Sequence, residues 1–280
     1  FDYSGDPERM RDEVLRIDPT AGPGYAAFMA EADLCYALGF EALGCQSFVG
    51  MGDLFKAVPA MVRMKGWRSL HAMVATHIKH PKLRQALSLQ SLLIGGNPFS
   101  VTCVYSLINA LERRFGVHWA MGGTGALVNG LVDVIEGMGG SLRTGAEVRR
   151  IDVNQGRVSG VTLATGETIP ADVVVCNADT AWTYKNLIDP QHRKVWTNAK
   201  VEKGKYSMSL FVWYFGTNKR FEDVPHHMML LGPRYEALLT DIFKNYHLPE
   251  DFSLYLHRPT ATEAAMAPAG CDTFYVLAPV

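Results

Sequence analysis

The sequence predicts an α/β chain: a helical first third, then a glycine turn feeding a helix and a run of strands, then a second sheet. Three observations carry that. Apolar residues recur at helical spacing up to about Gly116. From Glu147 onward, β-branched runs separated by Asn-Gln-Gly and Thr-Gly turns take over. And the chain's 280 residues are 48% hydrophobic and 20% charged, the balance of a polypeptide that folds around a core and not of a disordered or collagen-like one.

At about 100–200 residues per domain, the length allows one large domain or two ordinary ones. A net charge of −1 and a pI near 6.8 give no global basic field of the kind that marks a nucleic-acid binder. Mean hydropathy of +0.01 is too polar for a multi-span membrane protein. The five cysteines (Cys35, Cys45, Cys103, Cys176, Cys271) are scattered, form no C-x-x-C, and suit a reducing cytoplasm; no H-E-x-x-H occurs among nine histidines, so no metal site is expected. No signal peptide opens the chain, the first residue is Phe1, and the last residues read as a strand cut off mid-course, so a fragment is expected.

Taking the elements in order, Pro7 and Asp18-Pro19 set helix starts, 18–24 is a loop, and an apolar-periodic run covers 25–43. Residues 54–111 contain no Asp or Glu but seven bases (Lys56, Arg63, Lys65, Arg68, Lys79, Lys82 and Arg84). This stretch carries +7 and the rest of the chain −8. Its first half interleaves the bases with Phe55, Met61, Met64, Trp67 and Met73, the composition of a helix lying on an anionic bilayer or of an ordinary amphipathic helix with a solvated face. Pro59 and Gly66 should break any single long helix there. From Gln85 to Leu111 no charge appears, yet Gly95-Gly-Asn-Pro98 interrupts the run; two buried helices around that turn are expected, not a transmembrane span. Their interior is either plain core or the wall of a cavity for a hydrophobic ligand.

Gly122-Gly-Thr-Gly125 then feeds a helix with Leu127, Val128, Leu131, Val132 and Ile135 on one face, stopped at Gly139-Gly140. Strands are expected over 147–153, 158–163 and 167–170, followed by Ala171-Asp-Val-Val-Val-Cys176, an unalternated run of the kind buried in parallel sheets. Asn177, Ala178 and Asp179 would end that strand where such sheets contact ligands. The last third predicts strands over 206–216, 228–231, 252–257 and 274–280, with a helix over 234–244.

Chemistry-bearing motifs are sparse. A nucleophile elbow, a Walker A loop and a complete G-x-G-x-x-G are all absent. The Gly122 turn can cradle an anion on its amides or be simply a tight turn.

Several segments, in order and over nearly the whole chain, resemble the bacterial-type phytoene desaturases, flavin-dependent carotenoid desaturases of the wider amine-oxidase-like flavoprotein group. They are Leu92-Leu-Ile-Gly-Gly-Asn-Pro-Phe99, Tyr105-Ser-Leu-Ile-Asn-Ala-Leu-Glu112, Gly122-Gly-Thr-Gly-Ala-Leu-Val128, Ser209-Leu-Phe-Val-Trp-Tyr-Phe-Gly216, Phe252-Ser-Leu-Tyr-Leu-His257, Ala267-Pro-Ala-Gly270 and Tyr275-Val-Leu-Ala-Pro-Val280.

The resemblance implies part of a Rossmann-like FAD-binding domain joined to a mixed helical and β-sheet substrate domain. Residues 1–120 would be the substrate and membrane part, 121–180 the returning part of the FAD domain, and 181–280 the sheet flooring a substrate tunnel. It also implies FAD as cofactor, a hydrophobic polyene substrate, and a peripheral position on the inner face of the cell membrane. Val148 would lie beside the adenine, Asn177, Ala178 and Asp179 would face the cofactor, and Gly122 and Gly123 would lie near the isoalloxazine. Asp53 and Lys56 would form an acid–base pair, with apolar surroundings raising the Asp53 pKa. Ala120 and Met121 depart from the family pattern, which often has Pro and a base before Gly-Gly. Each nominated residue also has a plain structural reading: strand core for Val148, a helix N-cap for Asp179, a turn aspartate for Asp53. Two rival functions share the architecture: a non-catalytic isoprenoid carrier of the GDI type, and an amine oxidase.

Overall fold

In the computed structural model, which describes residues 1–280, Asp6 accepts the amides of Glu8 and Arg9 at 2.9 and 3.0 Å and so caps α1 (Pro7–Ile17). Helix α2 (Gly22–Cys35) starts earlier than the loop chemistry suggested, because Pro23 fits the first helical turn. Its Tyr25, Phe28, Met29, Ala32 and Cys35 recur at helical spacing and are all buried. The helix continues in wider π-type turns over Tyr36–Ala42. Helix α3 (Met51–Arg63) runs through Pro59, contrary to expectation. A single missing N–H on an exposed helix is tolerated; the chain turns off only at Lys65, whose φ is 52°.

Helices α4 (Leu70–His77), α5 (Pro81–Ser88) and α6 (Leu107–Phe115) complete the helical part. The expected Gly-Gly-Asn-Pro reversal is present: Gly95 adopts φ 70° after a tight turn of helix over Leu89–Ile94. Within the uncharged stretch Leu87, Cys103 and Ala110 serve as core, while Leu93 and Ile94 are exposed. Leu83, Leu87, Cys103 and Ala110 pack in one cluster with Phe28, Leu70, Met73 and Val74. Some of its buried polar groups bond locally, Ser88 Oγ donating to the Arg84 carbonyl at 2.7 Å and Asn109 Nδ2 to that of Leu87 at 3.4 Å, while Ser106 Oγ and Gln90 Oε1 are buried without a partner.

By chain contacts the molecule divides into two units, 1–123 with 207–280, and 124–206. In sequence the second lies between the two parts of the first, and α7 (Gly123–Gly137) begins at its start. Strands β1 (Val148–Asn154), β2 (Arg157–Leu163) and β3 (Thr168–Pro170) form an antiparallel sheet in that order. The β1–β2 hairpin turns on Gln155 and Gly156, both at positive φ (50° and 77°), the geometry that matches strand twist.

The strand expected over 171–176 does not form. Its apolar run states a preference for a sheet interior, but no strand of this chain lies alongside to complete a ladder, and Val173 and Val175 stand 76% and 91% exposed. No parallel pairing is found either; every strand pair is antiparallel.

The first unit resumes with β4 (Leu210–Thr217), β5 (His227–Leu230), β6 (Leu254–His257) and β7 (Asp272–Pro279), in the order β4-β7-β6-β5. The helix Tyr235–Thr240 falls between β5 and β6, within the stretch expected to be helical.

Candidate functional site

Register assembles the chemistry on the four-stranded sheet. Tyr214 pairs with Tyr275, Tyr275 with His257, and His257 with His227, so one row of rings crosses all four strands. Tyr255, two residues before His257, shares that face by the period of the pleat. Its hydroxyl lies 2.6 Å from His227 Nδ1 and 3.0 Å from His257 Nδ1. His226 joins from just before β5, with Nδ1 2.5 Å from Thr262 Oγ1. Trp119 packs on His226 and His257 with ring centroids 5.2 and 5.5 Å away. Burial lowers the pKa of all three imidazoles; for His257 the neighbouring His226 and His227 add to it and bring the value to about 4.

A buried ion pair presents the loop beneath. Arg258, 2% exposed, donates from Nε to Asp272 Oδ2 at 2.9 Å, while Thr260 and the Phe221 amide bond the same carboxylate at 2.6 and 2.7 Å. Burial opposes ionisation of Asp272, but these three donors hold its pKa below the ordinary carboxylate value. The anchored loop puts Glu263 against the Gly122 turn. The Gly122 amide donates to both Glu263 oxygens at 3.0 and 2.9 Å, and Trp119 Nε1 donates to Oε2 at 2.7 Å.

Gly122 and Gly123 have φ of 88° and 78°, open to glycine without strain, and a Cβ on Gly123 would stand 2.9 Å from Met266 Cε. Two amides of this turn are already taken, that of Gly122 by Glu263 and that of Gly123 by the Ala120 carbonyl at 2.8 Å.

The other nominated residues lie elsewhere. Asp53 and Lys56 do meet, at 3.1 Å on the first turn of α3. Asp53 Oδ2 also accepts the amides of Val49 and Gly50 at 3.3 and 3.2 Å, so it closes the helix start. Its pKa is lowered, first by Lys56 and then by the Gly50 amide, the reverse of the expected rise, because the side chain faces solvent and donors instead of apolar surroundings. Val148 opens β1, an edge strand, half-buried. Asn177 and Ala178 are exposed, and Asp179 accepts the Trp182 amide at 2.7 Å as the N-cap of a short helical turn.

Sequence reasoning did not single out Glu263, His226, His227 or His257. The His-His pair was visible, but its partner lies 30 residues on and is delivered by strand register, which short spacing rules do not read.

A family model described as flavin containing amine oxidoreductase matches residues 54–266. Over 280 residues the chain is 44% identical to a lycopene-forming phytoene desaturase of a Paracoccus species, covering 100% of this chain and 56% of that protein. It is 44% identical to the neurosporene-forming phytoene desaturase of Cereibacter sphaeroides, covering 98% of this chain and 53% of that one. With the lycopene-forming phytoene desaturase of Pantoea ananas the identity is 38%, over 100% and 57%. The chain thus spans about half the length of the curated relatives it matches. Among solved structures, an oxidoreductase from Methanosarcina mazei superposes with a TM-score of 0.55 at 19% identity, over 83% of this chain and 53% of that one, a likeness of fold.

Proposed function

The chain belongs to the family of flavin containing amine oxidoreductases, and from that premise we propose that it serves the FAD-dependent desaturation of phytoene in carotenoid biosynthesis. The observation that carries this reading is identity of 38–44% along the whole chain with relatives named for that reaction in three bacteria. Two hydrogens leave an allylic CH2–CH2 unit, one as hydride and one as proton. FAD, when bound, supplies the hydride acceptor.

The residues present fit such a group in specific ways. Val148 opens the edge strand β1, whose backbone groups turned away from β2 would bond a planar base. Gly122, without a side chain, would let a ring system approach the backbone, although its N–H is engaged by Glu263 and the space over Gly123 is held by Met266. Exposed Asn177 and Ala178, and the Asp179 oxygen not used in the cap, supply further polar contacts. Asp53, with its pKa lowered, stays ionised at neutral pH, so it can accept a proton but has none to donate.

A polyene precursor has no polar handle and is held by apolar area. Phe211, Trp213 and Tyr214 on β4 stand 62%, 60% and 72% exposed and offer such area. The chain would draw its substrate from the inner face of the cell membrane. Helix α3 supports that: Met51, Leu54, Phe55, Val58, Met61 and Val62 follow helical spacing along one face and are exposed, while Ala57, at the margin of that face, is buried. Trp67 extends the strip at 71% exposed, and Lys56, Arg63 and Lys65 are exposed around it. Each base near an anionic surface adds about 1 kcal/mol of attraction.

The test supplies FAD and phytoene in liposomes to a protein containing this chain. Bound flavin with products absorbing at longer wavelength is expected. Bound flavin with phytoene unchanged would overturn the substrate, and phytoene extraction without flavin would favour the carrier.

A further inference from the structure

We propose that His226, His227 and His257 form a binding site for a divalent transition metal of the zinc type, on the sheet face beside Trp119. The donor atoms of the three side chains lie within 4.8 Å of one another. Three observations, independent of the desaturase reading, point to a cation there.

The first is the donor set. Three imidazoles converge with no acid among them, and imidazole suits zinc, copper, iron and nickel, not calcium or magnesium. A metal at the usual 2.0–2.1 Å from each nitrogen needs nitrogens about 3.3 Å apart in a tetrahedral arrangement. The nitrogens now lie up to 4.8 Å apart, so binding draws the rings together by about 1.5 Å.

The second is orientation. In each ring Nδ1 faces a hydroxyl oxygen: Thr262 Oγ1 for His226, and the shared Tyr255 hydroxyl for His227 and His257. When His226 Nδ1–H donates to Thr262, its lone pair is left on Nε2; His227 and His257 meet at the one Tyr255 hydroxyl, which can accept from either ring and so sets which of their nitrogens keeps a lone pair. Metal-bound histidines are held in this way, one ring nitrogen fixed by an oxygen and the other presented to the ion. The third observation is an orphan: His226 Nε2 is buried and has no hydrogen-bond partner. An unpartnered ring nitrogen beside two other imidazoles is a group without its ligand.

Three protein nitrogens leave one position of a tetrahedron for water, the open arrangement of catalytic zinc sites. The site selects against large or hard cations by offering no carboxylate, since the nearby Glu263 is engaged by Gly122 and Trp119.

The test uses the full chain without a polyhistidine tag, stripped with a chelator and then titrated with Zn2+ against a chromophoric chelator, and with Co2+ by absorption. One equivalent of Zn2+ should bind, Co2+ should give the intense visible bands of four-coordination, and Zn2+ should raise the melting temperature. His226→Gln should abolish the bands. Tyr255→Phe, which keeps all three rings, should weaken Zn2+ binding roughly 10–100-fold. His247→Gln, outside the cluster, should change nothing. Binding of no equivalent by the unaltered chain, weak six-coordinate Co2+ bands, or undiminished Zn2+ binding by a folded His226→Gln chain would each overturn the proposal.

Discussion

Helices α2 and α7 are of similar length, 14 and 15 residues, and both are predominantly apolar, yet they end in opposite circumstances. Helix α2 buries Tyr25, Phe28, Met29, Ala32 and Cys35 among helices of its own unit. Helix α7 buries only Gly123; Leu127, Val128, Leu131, Val134 and Ile135 are 47–60% exposed. An apolar stripe therefore reports that a helix wants a partner and not where the partner is. In the first unit the partners are supplied by α4, α5 and α6; in the second, the chain supplies none for α7 or for the Val173–Val175 run.

The comparison can be broken directly. Phe28→Ala, at a fully buried position, should cost about 3–5 kcal/mol of the unfolding free energy in urea. Leu131→Ala should cost under about 0.5 kcal/mol, the scale of a surface change. A Leu131→Ala loss as large as that of Phe28→Ala would show α7 to be covered in solution.

The sheet of the first unit sharpens the contrast, being held by polar bonds as well as by oil. Arg258→Met strips Asp272 of its buried counter-charge and should cost about 3 kcal/mol by the same measurement. Glu263→Gln leaves the Gly122 amide and Trp119 Nε1 sharing a weaker acceptor, and should cost about 1–2 kcal/mol with a shift in tryptophan fluorescence.

Smaller effects come from pH. Burial raises the Glu112 pKa, against a partly offsetting bond from Tyr3. The folded chain thus holds that proton more tightly than the unfolded one. The resulting stability is present below the ordinary carboxyl pKa and lost as pH rises through the raised value, and Glu112→Gln should flatten this dependence. Asp53 has the opposite sign: its pKa is lowered, so its contribution is present above the ordinary carboxyl value and lost as pH falls through the lowered one. Asp53→Asn should remove that acid limb, with the smallest effect of the series.

Local signals were read well. Helix caps and turns follow residue chemistry at short range, so Pro7, the Gly95 reversal, the Gln155-Gly156 turn and most strand positions were legible in the sequence. What depended on a distant partner was not. The 171–176 run has strand composition but no neighbour, and Asp53 has apolar neighbours in sequence but amides and an ammonium in space. The Glu263 latch and the imidazole cluster arise from register between strands far apart in the chain, which no local pattern encodes.

That latch has a consequence for the order of synthesis. Gly122 and Glu263 are 141 residues apart, so at roughly 5–20 residues per second a ribosome takes between about 7 and 28 s to deliver the carboxylate after the glycine. During that interval the nascent Gly122 turn has no clasp. Residues 124–206, whose strands are all made early, can assemble first while the unit that flanks them in sequence waits for its closing strands.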